Sequence, residues 1–391
     1  RQGRFAALAA LQAHYRGDTN FPSHPQPGKP GEDVLVALGK FDPELNALRA
    51  AAARPHSRFP INWEDGIAAL LPHLQPLRHF GEMLQYRALA ELSLGRTDAA
   101  LDDTLLTLRL GSAIAGEPCL ISQLVNVALL EMAMAPLWEG LARHQWSDAQ
   151  LAAFEQRLAP INLAANHQQA FRGERNILLF PGMDVLRDQP DLYWGIIHDM
   201  GKGGLPTGPS PLRLFPKGWF DQNKVVMGRL YGQLVKAADP AARRFLPEEA
   251  KAVEAWVIKI KPEVWRHPHY FLAVLFMPAA AKPIERCASM QATVDLARSA
   301  IALERHRLKH GTLPETLDAL DTAVLPGGGL PRDVITGEPL RFAQTADGKF
   351  KLYATGWDRV DDGGVPAFID EKNARVDFTK GDWVWPQPAS Q

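Results

Sequence analysis

Val294-Asp295-Leu296-Ala297-Arg298-Ser299-Ala300-Ile301-Ala302-Leu303-Glu304-Arg305-His306-Arg307-Leu308-Lys309-His310-Gly311-Thr312-Leu313-Pro314 decides how this chain is read. Val294, Ala297, Ile301 and Leu308 recur at helical steps, and the pattern stops at Gly311 and Pro314. Apolar residues spaced this way line one face of an α-helix, and Gly and Pro break it. The spacing predicts one long helix over residues 284–310. Beyond Gly311 the period changes from helical to alternating, the signature of strands.

Downstream, Leu340 to Gln344 and Lys349 to Ala354 flank Thr345-Ala346-Asp347-Gly348, a hairpin signal centred on Asp-Gly. Ala367 to Asp370 and Arg375 to Phe378 flank a second turn. The stripe of the long helix is expected to pack on the hairpin at 340–354. An aromatic Trp383-Val384-Trp385-Pro386 tail follows.

Upstream, helices are expected over Phe5–His14, Asp33–Leu38 and Pro43–Ala53, the last with Asp42 as N-cap and proline in first position. Trp63–Leu94 reads as helix broken near Pro72 and Pro76. Thr97 is expected to cap the helix that follows. Glu117–Arg143 is another helix, and Ser147-Asp148-Ala149-Gln150 is a capping box opening a long helix through Leu163 toward Phe180. A Pro- and Gly-rich span from Pro181 to Gly218 holds a short helical piece at Tyr193–Met200. Gln222–Ala237 and Pro247–Ile260 are further helices. Leu89 to Pro118 has tetratricopeptide length but no second copy, so it reads as a plain helical hairpin. The fold class is therefore mostly α: a large multi-helix domain over residues 1–283, then a small α+β module over 284–391 with a long helix and antiparallel hairpins.

The chain has 391 residues, 46% hydrophobic and 22% charged, with a formal net charge of -1. That balance is globular, and it argues against nucleic acid as the partner, since phosphate binding needs a basic excess. Arg298, Arg305, Arg307 and Lys309 are interleaved with Glu304 and read as a solvated face. Cys119 and Cys287 both sit in apolar helical context and read as small buried hydrophobes, weighed against a single disulfide between them. No window of about 18 apolar residues is found, so no membrane span is expected within the chain. Arg1-Gln2-Gly3-Arg4 reads as a basic flank of an upstream signal or anchor segment.

Few residue sets carry chemistry. His267-Pro268-His269 has the ligand type for a metal but no third ligand nearby, so stacked or surface histidines are expected. Glu174, with Glu82, Arg87, Arg109, Glu117 and Glu131, is a candidate acid–base set in a helical groove, weighed against ordinary helix–helix ion pairs. Gly201-Lys202-Gly203-Gly204 lacks phosphate-loop spacing. No nucleophile elbow or paired-histidine zinc motif occurs.

The order Gly311 and Pro314, then Pro331, Asp333, Gly337 and Pro339, then Leu352-Tyr353, Gly356 and Asp358, Asp361, Asp362, Gly363, Gly364 resembles the C-terminal part of the major pseudopilin of type II secretion systems. The likeness covers about a fifth of the chain, and the large helical domain before it departs from that family's pattern. The resemblance implies a calcium (Ca2+) site on Asp358, Asp361 and Asp362, where clustered carboxylates in a glycine-permissive loop suit a hard cation. The whole chain also resembles bacterial envelope proteins that pair a helical domain with such a tail, which implies a periplasmic or extracytoplasmic location and a protein partner in the envelope. The leading expectation is a non-enzymatic structural or interaction protein. The alternatives are a hydrolase using carboxylates in the helical domain and a calcium-stabilised binding module.

Overall fold

Gly311, at φ 81°, closes a 40-residue helix that begins at Phe271. The computed structural model describes residues 5–191, 210–321, 325, 329–345, 349–370 and 375–386. Arg1-Gln2-Gly3-Arg4, the Tyr193–Met200 piece, the Gly201-Lys202-Gly203-Gly204 loop and the Asp347-Gly348 turn lie outside the described residues.

The molecule is mostly α-helical, followed by a small C-terminal region of antiparallel hairpins. Helices α1 (Ala6–Gly17), α2 (Pro30–Leu38) and α3 (Asp42–Ala52) lead to α4 (Leu74–Ser93), α5 (Thr97–Ile114) and α6 (Leu120–Ala142). Asp42 lies inside α3 and is not its cap; its carboxylate accepts from Arg87 at 3.0 Å. Thr97 likewise starts α5 without capping it, and its hydroxyl accepts from Gln150 at 3.1 Å.

Helix α6 is the one described helix long and apolar enough by hydropathy to cross a membrane, although no such window was expected from the sequence. Glu131 interrupts it and pairs with Arg286. A helix apolar all round is either a span or a core element. Within this fold it packs against α4, α5 and the 40-residue helix, which bury two thirds of its apolar window.

Helix α7 (Asp148–Leu158) starts at the capping box, with Ser147 and Gln150 exchanging bonds of 3.3 and 3.0 Å. The expected continuation through Leu163 is broken at Pro160, and Asn162 caps a separate helix, α8 (Leu163–Gly173). A π-helical turn over Glu174–Leu179 leads into α9 (Phe180–Asp188). After α10 (Lys217–Lys236), a short ladder pairs β1 (Ala238–Asp239) with β2 (Arg244–Phe245), and α11 (Pro247–Ile260) follows.

Helix α12 (Phe271–His310) begins ahead of the expected start at 284 and runs through Pro283, so the chain passes from helical body to C-terminal region inside one helix. Every residue from Cys287 to Glu304 is buried. Helices α6, α7, α8, α10 and α11 cover it, and β4 (Phe350–Ala354) and β7 (Trp383–Trp385) cover it from the C-terminal side. Val294, Ala297 and Ile301 of the expected stripe are buried, whereas Leu308 is 43% exposed beyond the sheet.

The first hairpin forms as read: β3 (Arg341–Gln344) pairs antiparallel with β4, Arg341 opposite Tyr353. The tail adds β7 on the other edge of β4, Leu352 opposite Trp385. A second hairpin joins β5 (Pro366–Asp370) to β6 (Arg375–Gly381). Gly356 passes so close to the Gly381 carbonyl that a Cβ there would collide with it, which explains why the chain needs glycine at this step. The turn at Pro331–Pro339 is held by Asp333. Its carboxylate accepts from the Ile335 and Thr336 amides at 2.8 and 3.1 Å and from the Thr355 amide and hydroxyl at 2.8 and 2.7 Å.

Candidate functional site

Helix α10 turns Phe220, Met227, Tyr231 and Leu234 inward, leaving Arg229 and Lys236 exposed on its other side. Asn223 fixes this helix to the start of α12. Its amide donates to the Trp219 and His269 carbonyls at 2.8 and 2.6 Å, and its oxygen accepts from the Ala273 amide at 2.9 Å. That clasp sets the position of Tyr270. The Tyr270 ring meets Trp256 of α11 edge-on at 5.8 Å.

Between these parts runs a groove of about 510 Å³. Val226 and Leu230 form its aliphatic side, and Trp256 and Tyr270 its aromatic side. Arg229, Gln233 and Lys236 stand along the α10 edge, with Gly232 between them. Spacings of four and three residues place those polar groups on one face of the helix. Among the described residues, neither Arg229 nor Lys236 has an acidic partner within ion-pair distance, and no carboxylate lines the groove. Charge at the rim of a low-dielectric cleft acts over a longer reach than on a flat surface. The arrangement can therefore hold an anionic group against an apolar and aromatic wall.

The sequence-predicted residues fall elsewhere. His267 and His269 flank this site, but their rings pack on Tyr270 at 5.9 and 4.1 Å and lie perpendicular to each other. The acid–base set around Glu174 does not assemble. Glu82 is paired with Arg78, Arg87 with Asp42 and Asp103, and Glu131 with Arg286, while Arg109 donates to the Ala52 and Arg54 carbonyls. Only Glu117 and Glu174 come together, on either side of Cys119. Glu174 accepts from the Leu120 amide at 3.1 Å, so it serves the amino end of α6, where a carboxylate satisfies an otherwise open N–H. Burial pushes its pKa up, and the amide bond partly offsets this. Glu117 bonds Ser122 and lies 2.9 Å from His73. Cys119 and Cys287 are free and buried, and burial pushes their thiols up to about 11 and about 12.

In the acidic loop the Asp358 and Asp361 carboxylates have protein partners. Asp358 accepts from the Val360 and Gly381 amides at 3.1 and 3.3 Å. Asp361 accepts from the Gly363 amide at 3.0 Å and the Tyr353 hydroxyl at 3.1 Å, with Arg341 at 3.4 Å. The amide bond, then the hydroxyl and Arg341, hold the Asp361 pKa below its usual range. Among the described residues no three His, Cys, Asp or Glu side chains are grouped to hold a metal, Asp358, Asp361 and Asp362 included.

A buried charged assembly is built around Asp295 and Arg298 of α12. Glu155 of α7 accepts from Arg298 at 2.7 and 3.0 Å. Asp295, one turn earlier, accepts from Gln291 at 3.0 Å and lies 3.6 Å from Arg243 and 3.7 Å from Arg298. Burial raises both carboxylates, Asp295 to about 6, against the pull of the arginines. Gln291 also accepts from the Leu163 amide at 2.8 Å, so the same seam caps α8.

Sequence reasoning missed the groove. Its one linear signal is the Arg229, Gln233, Lys236 spacing, which reads as an ordinary polar face until α11 and Tyr270 are placed beside it. Compared with known proteins, the chain matches no family model, no curated protein and no solved structure.

Proposed function

We propose that the protein acts by binding, as an envelope-associated interaction protein that holds a partner in the groove between α10 and α11. The observation that carries this reading is the lining: two exposed cations, without acidic partners among the described residues, set along an aliphatic and aromatic wall. Clefts of this composition orient a bound group through a few polar contacts on an apolar surface. The internal engagement of the candidate acid–base carboxylates supports the same reading. The envelope placement rests on the likeness of residues 284–364 to the pseudopilin module.

The test is a photo-crosslinking residue placed at Gln233 in the full chain, with the same residue at Glu44 on the exposed side of α3 as control. The expected result is a discrete adduct from position 233 alone, recovered with the cell envelope. No adduct at 233, an identical pattern from both positions, or recovery in the cytosolic fraction would overturn the proposal.

A further inference from the structure

Resting on that reading, we infer that the groove's occupant is an acidic amphipathic helix of a protein partner. Arg229 and Lys236 are seven residues apart on α10, which is about 10 Å along its axis. A partner helix lying beside α10 carries residues i and i+7 at the same spacing and on the same face. Two carboxylates at those positions meet Arg229 and Lys236 together. The apolar side chains at i+3 and i+4 then descend between them toward Leu230 and Trp256.

An extended segment fits less well. A rise of about 3.3 Å per residue puts three residues across the same distance, and side chains at i and i+3 of a strand point to opposite faces. A bilayer surface also fits poorly, because the aromatic wall lies inside a concave groove. The absence of any carboxylate among the described lining residues selects an acidic partner over a basic one. Among the described residues no carboxylate competes for the two cations.

Gly232 supplies a clean block. A Cβ at this position meets no atom within 4 Å, so a side chain there extends into open space without disturbing the helix. The experiment uses the purified full chain and fluorescence anisotropy of a labelled synthetic helical peptide carrying Glu at i and i+7 and Leu at i+3 and i+4. A twin peptide carries Lys at i and i+7. The wild type should bind the Glu peptide about tenfold more tightly than the Lys peptide, as two partly exposed charge pairs allow. Arg229→Glu with Lys236→Glu should reverse that order, and Gly232→Leu should remove binding of both. Equal affinity for the two peptides, or undiminished Glu-peptide binding by Gly232→Leu, would overturn the inference. So would capture of the wild type, but not of Gly232→Leu, by phosphatidylglycerol vesicles, because the occupant would then be lipid. If the Gln233 adduct persists while the two peptides bind alike, the groove remains a binding site and only the acidic helix falls. If the adduct is also lost, both fall.

Discussion

The seam along α12 and the groove along α10 both place arginines beside apolar surface, yet they have opposite consequences. In the seam, Arg298 is answered by Glu155 inside the protein, and Asp295 lies between two arginines. In the groove, Arg229 and Lys236 are exposed and find no acid among the described residues. The first set of charges is consumed in joining α7, α8 and α12. The second remains available to something outside the chain. A charged residue indicates binding only when the fold has left it without a partner.

The largest expected effect tests the seam. Arg298→Ala leaves the Glu155 carboxylate buried and uncompensated, and breaking a buried pair this way costs about 3–5 kcal/mol. Chemical denaturation should show that loss, while peptide binding by the folded fraction stays intact. A cost near zero would place the seam with the groove, as charge the fold does not need.

The next effect sharpens the contrast through pH. The native state holds a proton on Asp295 up to about pH 6, whereas the unfolded chain releases it near the ordinary aspartate value. Between those values the native state binds more protons, so stability falls as pH rises, by about 3 kcal/mol in all. Asp295→Asn should flatten that slope in denaturant titrations between about pH 4 and pH 6. A slope unchanged in the variant would assign the pH dependence to other groups.

In the groove, Arg229→Glu with Lys236→Glu should change stability by less than about 0.5 kcal/mol, the usual range for exposed substitutions away from special features. Gly232→Ala should raise it by about 0.5–1 kcal/mol, because glycine weakens a helix interior. A large loss from either would mean that the groove residues support the fold itself.

Calcium is the smallest expected effect. The Asp358 and Asp361 carboxylates already accept from amides and, for Asp361, from Tyr353. Millimolar calcium should therefore move the melting midpoint little, and a rise that Asp361→Ala abolishes would restore the calcium reading of the loop.

Much of the fold was legible because its signals are local. The Ser147 capping box and the Leu340–Ala354 hairpin each declare themselves within a few residues. The misses come from distance. Strand β7 is recognisable only once Trp385 lies opposite Leu352, and the start of α12 at Phe271 lies ahead of the stripe from Val294 that marks the helix in the sequence. Pro160 and Asn162 did offer a local signal for the break before α8. The groove was less legible still. Trp256 falls within the expected Pro247–Ile260 helix and Arg229 within the expected Gln222–Ala237 helix, and the Asn223 clasp fixes Tyr270 beside them.

Strand β7 also governs when the molecule can be completed. It is formed by residues 383–385, near the chain's described end, and it covers α12 together with β4. Synthesis delivers those residues after every helix that packs on α12, so α12 must wait with part of its apolar side open while α1 to α11 are already synthesised. Contacts this far apart in sequence form late and leave intermediates prone to aggregation. The cover over α12 is therefore completed late, and a chain cut short before Trp383 would expose α12 to proteases even with its helical partners in place.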